Sequence, residues 1–435
     1  MTDTIFALAT PPGTSAIAVI RVSGPGADEA LGQLIAGPLP RHRVASQRWL
    51  HGADGTRLDE ALVLRFVAPA SATGETVVEF HCHGGRAVVA AVLRALAAIP
   101  GLRPAEAGEF TQRAFRNGRL DLTQVEGLGD LLAAETEGQR RQAIGGLSGA
   151  LRARAEDWRS RLLEALAMTE VTIDWADEEV PEDVGPEVRA TLASLAAEIA
   201  TLLEGQAAAE RLREGFTVVL IGAPNAGKSS LLNALVRRPL AIATPTPGTT
   251  RDLIEGSLEI DGLAVTLVDT AGLATRPDDI EAIGIDRARD RAAAADLRLF
   301  LHAPDAPLPA DAEALRRSGD LDIATKADRN GATTKLDHRV SIKDAASIDA
   351  LRTHLGALLA DRTAGASLVS HVRQARHLTA AARHLTTAAD TALCGEAEIM
   401  AEEMRLAVRA LEELTGRIDT EAVLDRVFSA FCLGK

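Results

Sequence analysis

Gly222-Ala223-Pro224-Asn225-Ala226-Gly227-Lys228-Ser229 is a complete G-x-x-x-x-G-K-[ST] run. The hydrophobic stretch Phe216–Ile221 comes directly before it, and Ser230–Val236, of helical character, follows. Strand, glycine loop and helix are the order in which backbone N–H groups and a helix N-terminus wrap nucleotide phosphates. Asn225, Ala226, Gly227, Lys228, Ser229 and Ser230 are the candidate phosphate contacts. The lysine reaches the β- and γ-phosphates, and the Ser229 hydroxyl takes a magnesium position. Only five of the 47 basic residues are lysines, so a lysine in that slot stands out from the background.

Two further segments suit a nucleotide switch. Thr244-Pro245-Thr246-Pro247-Gly248-Thr249-Thr250 is polar and turn-rich, able to order only around a γ-phosphate and Mg2+. Asp269-Thr270-Ala271-Gly272 ends a strand-like run about forty residues after the phosphate loop, which suits a magnesium-side aspartate and a glycine amide that senses the γ-phosphate. Lys326 and Asp328 fit the second half of a guanine-reading Asn-Lys-x-Asp motif, with Thr325 in the asparagine position and Ser341 expected to add a backbone contact. GTP and GDP are therefore the expected nucleotides. The residue after Gly272 is Leu273, which cannot orient water as a glutamine would. Asp278, Asp279 and Glu281 are the nearby acids that could hold water, and Arg251 and Arg276 are the nearby arginines. Asn225 could hold a monovalent cation against the phosphates, supplying the charge of an arginine finger.

The elements that position these residues divide the chain into an expected three-part molecule: residues 1–119, a helical part in two pieces (120–213 and 366–435), and a Ras-like α/β phosphate-loop domain inserted at 214–365. Ile17–Val22, Ala61–Phe66 and Thr76–Phe80 read as strands, and Ala87–Ala98 as a helix, giving an N-terminal α+β region. Ile144, Leu147, Leu151, Ala155, Trp158, Leu162, Leu166 and Thr169 step by three and four, one face of a single helix. Val188, Leu192, Leu195, Ile199 and Leu202 resume that style, as do Met400, Met404, Ala407, Leu411 and Leu414, closed by Gly416. Asp419 and Thr420 offer an N-cap for a last helix. Asp261-Gly262 joins two strand-like runs as a hairpin turn.

Composition sets the outer bounds. At 435 residues with 46% apolar and 25% charged content, the chain is expected to form two or three soluble domains. No apolar run reaches membrane-spanning length, the start lacks a signal-peptide pattern, and three scattered cysteines fit a reducing compartment, so a cytoplasmic protein with no membrane association is expected. A net charge of −14 argues against broad adhesion to nucleic acid, although Arg103, Arg113, Arg116 and Arg119 cluster along the chain. Tyrosine is absent and aromatics make up 3%, so stacking platforms for single strands are scarce. His81-Cys82-His83 places two imidazoles on one strand face with no second ligand pair, a weak zinc signal.

Together these motifs resemble the MnmE (TrmE) family of tRNA-modification GTPases. The similarity runs from Ala9-Thr10-Pro11-Pro12-Gly13, Arg21-Val22-Ser23-Gly24, His83-Gly84-Gly85, Gly108-Glu109-Phe110 and Arg119-Leu120-Asp121-Leu122 through the phosphate loop, Gly248–Asp252 and Asp269–Leu273 to Phe431-Cys432-Leu433-Gly434-Lys435. The resemblance implies an N-terminal folate-binding domain that forms a homodimer, and a discontinuous helical domain carrying the GTPase. It implies K+ held by Asn225 with backbone oxygens of Thr244, Thr246 and Thr249, Mg2+ on Ser229 and Thr250, and Glu281 as the catalytic glutamate. It further implies a 5-formyltetrahydrofolate-type donor among Arg21, Glu79, Arg119 and Lys435, with Cys432 beside it. The implied partner is a FAD-dependent MnmG-type protein. The implied product is an aminomethyl or carboxymethylaminomethyl group on C5 of the wobble uridine in certain tRNAs, which are met through the complex.

Overall fold

The computed structural model describes residues 3–174, 185–236, 255–269, 290–329, 336–392 and 396–418, with 428, 431 and 434. The chain forms two compact units that interleave along the sequence. One gathers Met1–Gly129, Leu147–Leu192 and His384–Lys435; the other gathers Asp130–Gly146 and Ala193–Arg383.

The first unit contains a six-stranded sheet, β1 (Thr4–Leu8), β2 (Ser15–Ser23), β3 (Ser46–His51), β4 (Arg57–Phe66), β5 (Val77–Gly84) and β6 (Leu102–Pro104), in the order β3-β4-β5-β2-β1-β6. Every pairing is antiparallel except β1 with β6. Alternation along the strands separates two faces. Ile20, Val22, Ala61, Val63, Val78 and Phe80 are fully buried, packed in one core with helices α1 (Ala27–Leu34) and α2 (Arg86–Ala97). The residues between them, among them Arg21, Glu79 and His81, point to the other face. After α3 (Glu109–Arg116), α4 (Leu122–Ala133) begins the helical part.

Helix α5 (Glu137–Leu147) and helix α6 (Ala150–Asp174) correct one expectation. The stripe from Ile144 to Thr169 is not one helix: Gly149 adopts φ +81 and breaks it, and Ile144 lies 44% exposed on α5. Only the α6 portion, Leu151, Ala155, Trp158, Leu162 and Thr169, is buried, and Ala165 rather than Leu166 completes its face. Helices α7 (Gly185–Glu204) and α8 (Gln206–Glu214) follow, with Val188, Leu192, Leu195, Ile199 and Leu202 buried as the spacing predicts.

The second unit holds β7 (Phe216–Gly222), helix α9 (Lys228–Val236), β8 (Glu255–Ile260), β9 (Leu263–Asp269), β10 (Leu297–His302), β11 (Leu321–Ala324) and β12 (His338–Arg339), with sheet order β12-β11-β10-β7-β9-β8. All of its pairings are parallel except β8 with β9. Val218–Ile221 are fully buried because helices cover both faces, which is why β7 reads as an unbroken apolar run. Asp261 and Gly262 both have positive φ, the form a two-residue hairpin needs. Helix α10 (Ala345–Thr363) packs on this sheet, capped by the Asp344 carboxylate. Helices α11 (Val372–Thr391) and α12 (Ala397–Thr415) follow, and Gly416 ends α12 in the left-handed form. Within the first unit α12 lies on α6 although some 230 residues separate them: Arg159 Nε donates to Glu412 at 2.8 Å, and Thr169 Oγ1 reaches Met404 Sδ at 3.9 Å. The chain thus has an α+β region, a helical part assembled from distant segments, and an α/β phosphate-loop region. The expected last helix from Asp419 lies outside the described residues.

Candidate functional site

At the C-terminal end of β7 the backbone turns through the phosphate loop into α9. Asn225 and Gly227 adopt φ +64 and +95, and Ala226 N donates to Ala223 O at 3.1 Å. Left-handed steps among right-handed ones turn successive amides toward one concavity, an anion nest. Lys228 is 8% exposed, and its ammonium donates to the carbonyls of Gly222 (2.8 Å) and Ala223 (3.0 Å). Burial lowers its pKa, and the nearby Asp269 charge opposes that shift.

Asp269 closes β9, next to β7, and is completely buried. Ser229 Oγ bonds its Oδ2. Its Oδ1 is buried with no hydrogen-bond partner among the described residues. An orphaned carboxylate oxygen is costly, and a hydroxyl beside a carboxylate is the hard oxygen set that Mg2+ takes. Ser229 and Asp269 therefore fit that ion.

The base-reading residues lie beyond β11. Lys326 takes φ +53 and its ammonium pairs with Asp305 at 2.8 Å. Asp328 accepts from Ser341 Oγ at 2.9 Å and from Lys343 Nζ at 2.8 Å. The Lys343 bond first, then the Ser341 bond, hold its carboxyl down at about 2. It stays an acceptor at any physiological pH. Thr325 is buried, its hydroxyl on the Ala226 carbonyl of the phosphate loop. The backbone contact expected of Ser341 is taken inside the protein, since its amide donates to Ser347 Oγ at 3.1 Å. Lys343 and Ser347 were not singled out in the sequence. Their roles depend on where β12 returns beside β11, which no local pattern encodes.

In the first unit Arg21 on β2 stands opposite Glu79 on β5. Its Nε donates to Glu79 at 3.0 Å, its Nη1 to the Gly434 carbonyl at 3.4 Å, and its guanidinium lies 5.7 Å from the centre of the Phe110 ring. Gly434 has φ +90, and a Cβ there would meet the Leu8 carbonyl oxygen at 2.3 Å, so only glycine lets this segment lie against β1. Phe428 and Phe431 join a small core with Leu122 and Val125. His81 shares a 3.4 Å contact with Glu79 and lines a cavity of about 360 Å³ with Ile17, Gln47, Leu62 and His83. His83 pairs with Asp59 at 2.7 Å. Arg119 is exposed between α3 and α4.

The arginine cluster divides: Arg113 is buried and Arg103 half-buried, whereas Arg116 and Arg119 are exposed. Arg113 is 0% exposed and pairs with Asp3, Glu75 and Glu109, while Arg103 pairs with Asp3 and Glu109. These two guanidiniums are committed to carboxylates, not to a nucleic-acid surface. Thr244, Pro245, Thr246, Pro247, Gly248, Thr249, Thr250, Arg251, Thr270, Ala271, Gly272, Leu273, Arg276, Asp278, Asp279, Glu281, Cys432 and Lys435 lie outside the described residues. No described helix is long and apolar enough to cross a membrane.

A family model described as the GTP-binding protein TrmE N-terminus matches residues 4–119, and one described as the MnmE helical domain matches residues 122–432. The chain is 47% identical over 440 residues to the tRNA modification GTPase MnmE of Roseobacter denitrificans, with the whole of both chains covered. It is 48% identical over 436 residues to that of Cereibacter sphaeroides and 49% identical over 452 residues to that of Caulobacter vibrioides, again with full coverage of both. Among solved structures, Era of Aquifex aeolicus matches 33% of this chain and 56% of its own at 23% identity and a TM-score of 0.26, too loose a likeness to bear on function. Full-length identity near one half, with the phosphate loop and a guanine-suited aspartate in place, makes this chain a member of the MnmE family of tRNA modification GTPases.

Proposed function

We propose that this GTPase is potassium-stimulated, works as a homodimer whose nucleotide domains face each other, and drives modification of the wobble uridine of certain tRNAs in the cytoplasm. Its partners in this reading are a FAD-dependent MnmG-type protein and a 5-formyltetrahydrofolate-type donor. The observation that carries the reading is the buried Asp269 Oδ1, which has no hydrogen-bond partner among the described residues, beside Ser229. A hydroxyl and a carboxylate so placed supply oxygens that a divalent ion takes, which supports a hydrolytic site.

Ser229 and Asp269, with Thr250, would hold Mg2+, which when bound offsets charge on the β- and γ-phosphate oxygens. Lys228 exchanges the carbonyls of Gly222 and Ala223 for phosphate oxygens, a cheap exchange because all are oxygen acceptors. Asn225 with Thr244, Thr246 and Thr249 would hold K+, supplying the positive charge of an arginine finger. Glu281 orients the attacking water where Leu273 cannot. Asp328 accepts from guanine N1 and N2.

At the second site Arg21 and Glu79, with Arg119 and Lys435, would hold the folate. The Arg21–Glu79 ion pair reaches, through His81, a cavity of about 360 Å³ lined by Ile17 and Leu62 together with Gln47, Glu60 and His83, a mix of apolar and polar groups that suits a heterocycle with a polar edge. The folate, when bound, supplies a one-carbon unit for C5 of uridine, and Cys432 stands by sequence beside its position. The net charge of −14 leaves most of the tRNA surface to the flavoprotein partner.

GTP turnover measured in K+ and then in Na+ buffer, beside mass analysis of wobble nucleosides from cells lacking the chain, tests both halves. The expected result is faster turnover in K+ and loss of the C5 modification. Equal rates in the two salts would end the cation reading, and unchanged uridines would end the tRNA reading.

A further inference from the structure

Thr325 has one hydroxyl hydrogen, and the fold has already used it. The residue follows β11 at the first position of the base-reading motif and is 5% exposed. Its amide donates to the His302 carbonyl at 2.8 Å. Its Oγ1 lies 2.6 Å from the Ala226 carbonyl in the phosphate loop, with the His302 carbonyl a longer alternative at 3.3 Å. A threonine hydroxyl donates once, and the shorter contact sits well within the O–H···O range. The hydrogen therefore goes to Ala226. Packing reinforces the tie, because a Cβ on Gly227 would stand 3.8 Å from Thr325 Cβ.

Guanine presents two kinds of edge. N1 and N2 donate, whereas N7 and O6 accept. The Asp328 carboxylate, charged and acceptor-only, matches the donors. Reading N7 needs a donor, and the Thr325 oxygen has only lone pairs left to offer. An asparagine amide carries two N–H groups and an oxygen, enough to tie a loop and still donate to a base. Lys326, the next side chain, is turned to the Asp305 carboxylate at 2.8 and 2.9 Å.

We propose that this GTPase does not read guanine N7: Thr325 is a positioning residue that ties the base loop to the phosphate loop, and Asp328 selects the nucleotide through its Watson–Crick edge. The chemical class it admits is any purine triphosphate with the N1–H and N2–H2 donors of guanine, whatever atom stands at position 7. The proposal rests on guanine reading by Asp328, so its test separates the two.

The affinities of the full-length protein for GTP, 7-deaza-GTP and ITP are measured by displacement of a fluorescent GDP. The wild type is expected to bind 7-deaza-GTP within about two-fold of GTP, and ITP, which lacks the N2 amine, on the order of ten-fold more weakly. Thr325→Asn should create a preference for GTP over 7-deaza-GTP of roughly three- to ten-fold. Thr325→Val should weaken both by a common factor, because it breaks the tie between loops and no contact to the base. A wild type that already discriminates against 7-deaza-GTP overturns the proposal, as does a valine variant that loses GTP alone. An asparagine variant still blind to N7 would refute the assignment to position 325. ITP binding as tightly as GTP would instead remove the role of Asp328. The wild-type comparison needs no variant, so a variant that misfolds does not rescue the idea.

Discussion

Asp328 is ionised at neutral pH as any aspartate in water is, Lys343 and Ser341 donate to it and hold its pKa lower still, and an ionised carboxylate can only accept. Asp328→Asn puts an N–H donor where guanine also presents one. GTP affinity should fall on the order of 10²-fold, the scale of hydrogen bonds to a charged group. Xanthosine triphosphate, with an oxygen at position 2, should bind the variant better than the wild type. Titration of both nucleotides against both proteins checks the crossover. A second residue-scale test concerns the buried ion cluster. Burial raises the Glu109 pKa, but the Arg103 hydrogen bond, the Glu106 amide and Arg113 together bring the net shift below the ordinary value; Asp3 is likewise lowered on balance. Carboxylates with depressed folded pKa values stabilise above their unfolded pKa and lose that contribution as pH falls through the folded one. Glu109→Gln should cost about 3 kcal/mol at neutral pH, since Arg113 stays buried with one counter-charge fewer. Thermal melts between about pH 5 and about pH 3 should show a shallower fall for the variant than for the wild type. At this scale the sequence made legible the residues whose motif is local, from Gly222 to Ser229 and Lys326 to Asp328. It did not reveal that Arg113 is buried or that Lys343 meets Asp328, because both depend on pairings made across the chain.

The long helices show which elements can be read from spacing. Met400, Met404, Ala407, Leu411 and Leu414 are all buried on α12, and Gly416 ends the helix where expected. The stripe that begins at Ile144 misled because periodicity alone does not register a backbone break: Gly149 needs a left-handed φ, and three- and four-residue steps can be drawn across it. Trp158 lies in the N-terminal half of α6, among the largest fully buried side chains. Trp158→Ala should destabilise the helical part by about 3–5 kcal/mol, the usual cost of emptying a large aromatic site. Denaturant melts followed by far-UV circular dichroism would measure it. A loss under about 1 kcal/mol would mean that the α6 face is not a packed core.

At the scale of the molecule, hydrolysis in the proposed scheme is completed by K+ and Glu281 when two copies meet. Glu281→Ala should therefore lower GTP turnover by at least about 10²-fold while GTP affinity stays near that of the wild type, because water orientation and not ground-state binding is removed. Phosphate release at saturating GTP measures it, and undiminished turnover would discard Glu281. One feature of α5 reaches further. Gly138 N donates to the Gly262 carbonyl at the hairpin tip, and Gln139 and Gln142 donate to the carbonyls of Arg213 and Ala209. Residues from well before the phosphate loop thus seal polar groups around the sheet that carries it. A fragment cut at 214 and 365 to isolate the nucleotide-binding part would bare the turn at Gly262. Kinetics taken on such a piece would come from a hairpin tip that has exchanged this protein donor for water, so its rates are best set beside those of the uncut polypeptide.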